Sequence, residues 1–234
     1  MEASADPRAE TQQHESLALR SHLSSLLSKL DVDCVLDVGA NIGYYGRILR
    51  WIGYDGWIVS FEPVADVFRQ LSEATRDDPK WRAFDFALGA REETRDIGVA
   101  ENSVLSSFLE PSEYQTATLG QQSNVTERQR VPVHMLDSVL AQCLDGIADP
   151  RIFLKLDTQG WDMEVLSGSM ETLRRALGVQ VELSIKALYD GSPDWRDTIT
   201  WLNQQGFELT GLFTVIRDPA LRVIEQDCVM ARVP

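Results

Sequence analysis

Residues 35–44 read Val-Leu-Asp-Val-Gly-Ala-Asn-Ile-Gly-Tyr, and residues 61–63 read Phe-Glu-Pro. The first apolar run carries Asp37 at its end, turns on Gly39 and Gly43 and enters a helical pattern. A second apolar run, 57–61, ends at Glu62, about 23 residues past Gly39. That offset is near the ~20 residues separating a phosphate or cofactor turn from an acid that holds a ribose. Few folds accept this pattern. It predicts two parallel strands joined by a right-handed helical crossover, with a nucleoside cofactor across their carboxyl ends.

The rest of the chain continues in the same alternation. Residues 1–14 are polar without an apolar period and read as a disordered tail. Leu19, Leu23, Leu26, Leu27 and Leu30 recur at helical spacing, and a single domain is expected over 15–234. Strands are predicted at 34–38, 57–61, 81–87, 131–134, 151–156, 179–183, 207–211 and 227–232. Helices are predicted at 43–52, 64–76, 136–143, 163–177 and 195–205. Strands alternating with helices predict an α/β, doubly wound, mostly parallel sheet, closed by an antiparallel edge hairpin that turns at Arg217-Asp218-Pro219. Residues 90–130 lack a long periodic segment. They read as a cap- or lid-like insertion with a hairpin around 94–99 and a mobile stretch over 110–129.

Composition narrows the classes of partner. The net charge is -14 with 25% charged residues, and the only basic clusters are short and have acids nearby, so no nucleic-acid partner is expected. Cys34, Cys143 and Cys228 show no metal-binding spacing and read as thiols of a reducing, cytoplasmic compartment. No transmembrane segment or signal peptide is expected, and the Asn124-Val125-Thr126 sequon is read as chance. The first helix or an edge strand leaves a homodimer open.

The turn itself discriminates among nucleosides. A dinucleotide site usually shows Gly-x-Gly-x-x-Gly, but Asn41 stands at the second glycine position and Asp37 precedes the turn. An acid there suits an amino group or a sulfonium better than a phosphate, which favours S-adenosylmethionine over NAD.

The chain resembles the FkbM family of S-adenosylmethionine-dependent O-methyltransferases. The resemblance lies in VLDVGANIGYYG (35–46), FEPV (61–64), FALG (86–89), HMLDSVL (134–140), FLKLDTQGWDMEVLSGS (153–169) and VELS (181–184). These pieces fall in family order over about 35–211. The chain has Trp161-Asp162 where the family more often has Glu at the second place, which keeps the charge. The resemblance implies a seven-stranded Rossmann-like methyltransferase fold. It also implies methylation of a small-molecule hydroxyl on a sugar-bearing or polyketide secondary metabolite or glycolipid. By position, Asp37, Gly39, Ala40, Asn41, Gly43 and Tyr44 should surround the methionine part of the cofactor, Glu62 the ribose, and Pro63 and Val64 the adenine. Asp85 and Ala87 are candidates for the adenine edge, and Ser106 and Ser107 approach from the insertion.

Methylation of an alcohol needs alignment of the reacting atoms and removal of a proton. Lys155 and Asp157 share one face of a strand and open at its carboxyl end, with Glu182 at the same end of the next strand. Asp157 is the leading base or orienting group, Lys155 is expected to pair with Asp157 or Glu182, and Glu182 is expected to face acceptor hydroxyls. His134 is a second base candidate. Asp157 and Glu182 could instead share a magnesium ion, though two carboxylates are few ligands for a dedicated site. Trp161, Tyr189 and Trp195 are candidates for an acceptor wall. Competing readings are a nicotinamide-dependent oxidoreductase and a non-catalytic S-adenosylmethionine-binding module.

Overall fold

The computed structural model describes residues 7–232. The chain begins with helix α1 (Pro7–Lys29), then β1 (Cys34–Val38), α2 (Tyr44–Trp51), β2 (Trp57–Phe61), α3 (Ala65–Thr75), β3 (Trp81–Phe84) and the two-residue β4 (Ala87–Leu88). The insertion supplies β5 (Glu93–Ala100), α4 (Glu113–Leu119) and β6 (Val125–His134). There follow α5 (Leu136–Cys143), β7 (Ile152–Leu156), α6 (Asp162–Ser167), α7 (Met170–Arg175), β8 (Gly178–Ser184), α8 (Trp195–Gln204), β9 (Glu208–Arg217) and β10 (Val223–Ala231).

Seven strands form one sheet in the order β3-β2-β1-β7-β8-β10-β9. The first five are mutually parallel, and β10 is antiparallel to both β8 and β9. This is the doubly wound, mostly parallel sheet predicted from the alternation, and the seven-stranded Rossmann-like fold that the family resemblance implies, with the antiparallel hairpin at one edge. Every residue of β1 and of β7 is buried, as central strands covered on both faces require. Phe153, Val35 and Ile58 pack under α1 and α2, while Leu36, Leu154 and Val181 pack on the opposite face.

The order of strands reverses at β1, where β2 lies on one side and β7 on the other. A crevice at the carboxyl ends follows from that reversal. Ser60, Asp37, Lys155 and Gln180 lie side by side in register across β2, β1, β7 and β8. Glu62, Gly39, Asp157 and Glu182 follow two residues further on, so two polar rows cross the sheet at its open end.

The insertion differs most from expectation. The hairpin expected around 94–99 is absent: β5 pairs antiparallel along its length with β6, which begins about 25 residues later. β6 also pairs in parallel with β4, giving a second, three-stranded sheet. The stretch 110–129 contains α4 and the start of β6 rather than an irregular segment. The third strand ends at Phe84, and Ala87 and Leu88 belong to the small sheet.

Two helix boundaries also move. Residues 7–14, expected as tail, are the first turns of α1, while 1–6 lie outside the described residues. Pro7 suits the first turn, and Ala9, Glu10, Gln12 and Gln13 are strong helix formers, so the helix outruns its apolar face. The helix expected at 163–177 breaks at Gly168-Ser169. There a Cβ on Gly168 would stand 2.0 Å from the Gly89 carbonyl oxygen. Asp137 then caps the second piece, its carboxylate accepting from the Glu171 and Thr172 amides at 2.8 and 2.9 Å.

Among the described residues no helix is long and apolar enough to cross a membrane. Cys34, Cys143 and Cys228 are all buried and free.

Candidate active site

The turn after β1 is built on positive φ at Gly39 (72°), Asn41 (47°) and Gly43 (82°). At Gly39 the requirement is also steric, because a Cβ would lie 1.9 Å from the Asp157 carbonyl oxygen. The backbones at the ends of β1 and β7 therefore touch, and only glycine permits it. Gly43 precedes α2, packs on Leu71 and Trp81, and lines neither of the two cavities that open here.

Two cavities open on this turn. The first encloses about 660 Å³ of free space, mouth included. Its walls include Glu62, Pro63 and Val64 beyond β2, Ala87 and Leu88 of β4, and Phe86, Phe108 and Trp161. Glu62 is buried, and its two oxygens accept from the Asn41 amide at 3.0 Å and the Val64 amide at 2.9 Å. Burial pushes its carboxyl up to about 7, held back by those two amide hydrogen bonds. A buried carboxylate with lone pairs left over and no cation bonded to it fits a ribose diol, which brings two hydroxyl donors. The apolar walls fit a base.

The second cavity is larger, about 1840 Å³ with its mouth, and lies between α1, α2 and the β9–β10 hairpin. Leu17, Leu19, Tyr44, Ile48 and Phe213 give it apolar sides, and Lys155, Gln180 and Asp227 give it a polar floor. Gly39, Asn41, Val104 and Asp157 line both cavities. Asp157 is the one titratable residue of those four.

The inner polar row is closed on itself. Asp37 is fully buried, accepts from the Ser60 hydroxyl at 3.1 Å and lies 3.0 Å from Lys155 Nζ. That contact is an ion pair, off-axis as a hydrogen bond. Lys155 Nζ also donates to the Gly39 carbonyl at 3.1 Å and lies over the Tyr45 ring. Burial pulls the Lys155 ammonium down, but the attraction of Asp37 and Asp157 outweighs it and holds the group above its ordinary value. Lys155 thus pairs first with Asp37, with Asp157 at 3.7 Å, and not with Glu182. The charge set by the sequence reading opposite a cofactor amino group is therefore already neutralised, and Asp37 lines neither cavity.

The outer row is acidic, and the cation nearest to it is Lys155, 3.7 Å from Asp157. Gln159 Nε2 donates to Asp157 Oδ1 at 2.9 Å and to Glu182 Oε2 at 2.7 Å. Burial, reinforced by Asp157, Glu225, Asp227 and Asp162, holds Glu182 well above its ordinary value. Burial, then Asp157, raises Glu225 to about 8, and burial raises Asp227 to about 6. Among the described residues no group of three or more metal-ligating side chains converges. The space between Asp157 and Glu182, where a shared cation would sit, holds the Gln159 amide.

Several candidates lie elsewhere. Glu182 lines neither large cavity; it borders a small recess with Ser192 and Trp195. His134 pairs with Glu92 at 2.5 Å, meets Phe86 edge-on and lines neither of the two cavities. Asp85 is exposed and outside both cavities, whereas Ala87 lines the first. Ser106 and Ser107 line it too, but Ser106 already accepts from the Ala100 amide and Ser107 donates to the Gln159 carbonyl at 2.8 Å. Ala40 and Tyr44 line the second cavity. Trp161 packs in the first cavity with Arg95 over its ring, Tyr189 is buried, and Trp195 borders the small recess, so the three form no common wall.

The FkbM methyltransferase domain model matches residues 37–209. The chain belongs to the FkbM methyltransferase family. With membership comes the methyl donor, S-adenosylmethionine, to which the Glu62 cradle is suited. No curated protein sequence matches this family member significantly. The METTL16 methyltransferase domain is similar in fold, with TM-score 0.50, 9% identity, 94% of this chain and 68% of that one covered. Magnesium protoporphyrin IX methyltransferase of Synechocystis PCC 6803, solved with bound S-adenosylmethionine, gives TM-score 0.49 at 9% identity over 100% of this chain and 87% of that one. Aeropyrum pernix fibrillarin, also solved with that molecule, gives 0.47 at 14% identity over 85% and 66%.

Proposed function

We propose that this FkbM methyltransferase is an O-methyltransferase acting on a hydroxyl of a sugar-bearing or polyketide secondary metabolite or a glycolipid. The observation that carries the reading is Asp157, the titratable group shared by the two cavities. In this reading the first cavity holds the adenosine of the donor and the second receives the acceptor. When bound, S-adenosylmethionine supplies a methyl group already activated by a sulfonium.

The rest falls to the chain. Glu62 fixes the ribose, and Gly39 and Asn41 present backbone at the seam between the cavities. Asp157 accepts the proton that the acceptor hydroxyl loses as its oxygen bonds to carbon. Its side chain is 39% exposed against 5% for Lys155, so it is the member of the pair that an acceptor reaches. The apolar sides and polar floor of the larger cavity suit an acceptor with an apolar body and a hydroxylated end.

The test is transfer of an isotopically labelled methyl group to a panel of glycosylated polyketides and glycolipids, with the product bond identified by fragmentation. A labelled methyl ether supports the proposal. Label found only on nitrogen or on nucleic acid, or no calorimetric signal with S-adenosylmethionine, removes it.

A further inference from the structure

We infer that Gln159 is a positioning residue for Asp157, and that it couples the base to the insertion. The inference rests on the reading of Asp157 as proton acceptor. Gln159 sits in the left-handed region at φ 53° and is buried. Its single NH2 group spends one proton on Asp157 and the other on Glu182, so the two carboxylates are held on one donor. The amide orientation follows from its neighbours, since an amide oxygen turned toward two carboxylates would repel them.

The other end of Gln159 is fixed by the insertion and the segment after β8. The Tyr189 hydroxyl lies 2.8 Å from Gln159 Oε1 and 3.0 Å from the Leu105 carbonyl, sharing one proton between them. Ser107 donates to the Gln159 backbone carbonyl at 2.8 Å. Residues 105–107 also form part of the cofactor side, where Ser106 and Ser107 line the first cavity. A chain of contacts thus runs from the cavity wall through Tyr189 and Gln159 to Asp157. Gln159 lines the first cavity but not the larger one, so toward the acceptor it acts through Asp157.

The role is separable from mere packing because a donor removed from a carboxylate changes when that carboxylate ionises. Gln159→Met keeps the length and loses both N–H groups. The expected result is a fall in kcat of about 10–100-fold at neutral pH, a KM for S-adenosylmethionine within about twofold, and an acid limb of the kcat profile moved about one pH unit alkaline, which is the size a lost charge-assisted hydrogen bond allows. Activity should therefore recover toward high pH. Tyr189→Phe leaves the donors but frees the amide, and a smaller shift in the same direction is expected; it decides the matter if the methionine variant does not fold. A loss that is equal at every pH, or an unmoved limb in both variants, overturns the inference. Asp157→Asn separates the two levels: if it retains turnover the base reading falls and this one with it, whereas an inactive Asp157→Asn beside unmoved limbs removes the role of Gln159 alone.

Discussion

The two polar rows at the open end of the sheet have similar residue types and opposite characters. In the inner row Trp81 Nε1 donates to Ser60, Ser60 to Asp37, and Asp37 pairs with Lys155. Tyr45 donates to Gln180, and Gln180 to Asp227. The inner row joins opposite charges, and Lys155 and Gln180 reach only the floor of the larger cavity. In the outer row, two residues nearer the carboxyl ends, Glu62, Asp157 and Glu182 are all acids, and the donors that reach them are amides. Buried polarity alone therefore does not mark a site. Acceptor capacity left over beside the first cavity does, and there it belongs to Glu62 and Asp157 of the outer row.

The comparison can be broken at either row. The largest expected effect is on stability, from Lys155→Met, which leaves Asp37 buried without its cation and should cost about 3–5 kcal/mol. Adding Asp37→Leu should recover most of that loss; equal melting temperatures for the single variant and the wild type would show that the inner row does not hold the fold. Next comes Asp157→Asn in the outer row. Turnover should fall about 100-fold or more while calorimetry shows S-adenosylmethionine affinity within a few-fold, because the change removes a base and not a binding surface. A tenfold loss of affinity would assign Asp157 to the donor instead.

Glu62→Gln should weaken S-adenosylmethionine binding by about tenfold, the value of a charged hydrogen bond reduced to a neutral one. With the Glu62 carboxyl at about 7, wild-type affinity should also decline as pH falls below that value, and the glutamine variant should lose this dependence. An identical pH course in both would detach Glu62 from the effect. The smallest effect is on the cofactor-free protein. Glu62, Glu225 and Asp227 bind protons more tightly folded than unfolded, so folding stability increases as they become protonated. The melting temperature should rise by a few degrees from pH 8.5 to 6.5 at fixed ionic strength, and a fall over that range would contradict the sign.

The parallel core was legible because β1 and β7 are uninterrupted apolar runs, and the crevice because Gly39 and Glu62 stand at a recognisable offset. The edge hairpin was legible from its turn residues. What escaped the sequence depends on distance along the chain. Lys155 lies 118 residues from Asp37, and nothing local in either strand says that they pair. The sequence marks β6 only at its buried end, since Thr126, Glu127 and Arg128 are exposed and polar and carry no apolar alternation. The break at Gly168 reflects contact with Gly89, a neighbour in space alone. Gln159 lies inside the most recognisable motif, yet an amide between two acids has no signature in sequence until the acids are placed.

The two-residue strand β4 has a consequence for any attempt to exchange parts between relatives. Ala87 and Leu88 pair with Val133 and His134, and Ala87, Leu88 and Ile97 form part of the wall of the first cavity. The small sheet thus meets the first cavity through β4 and β5. A graft cut at residue 90 would sever a wall from its foundation. A chimera that moves 87–134 whole should keep that wall together with the strands it pairs with.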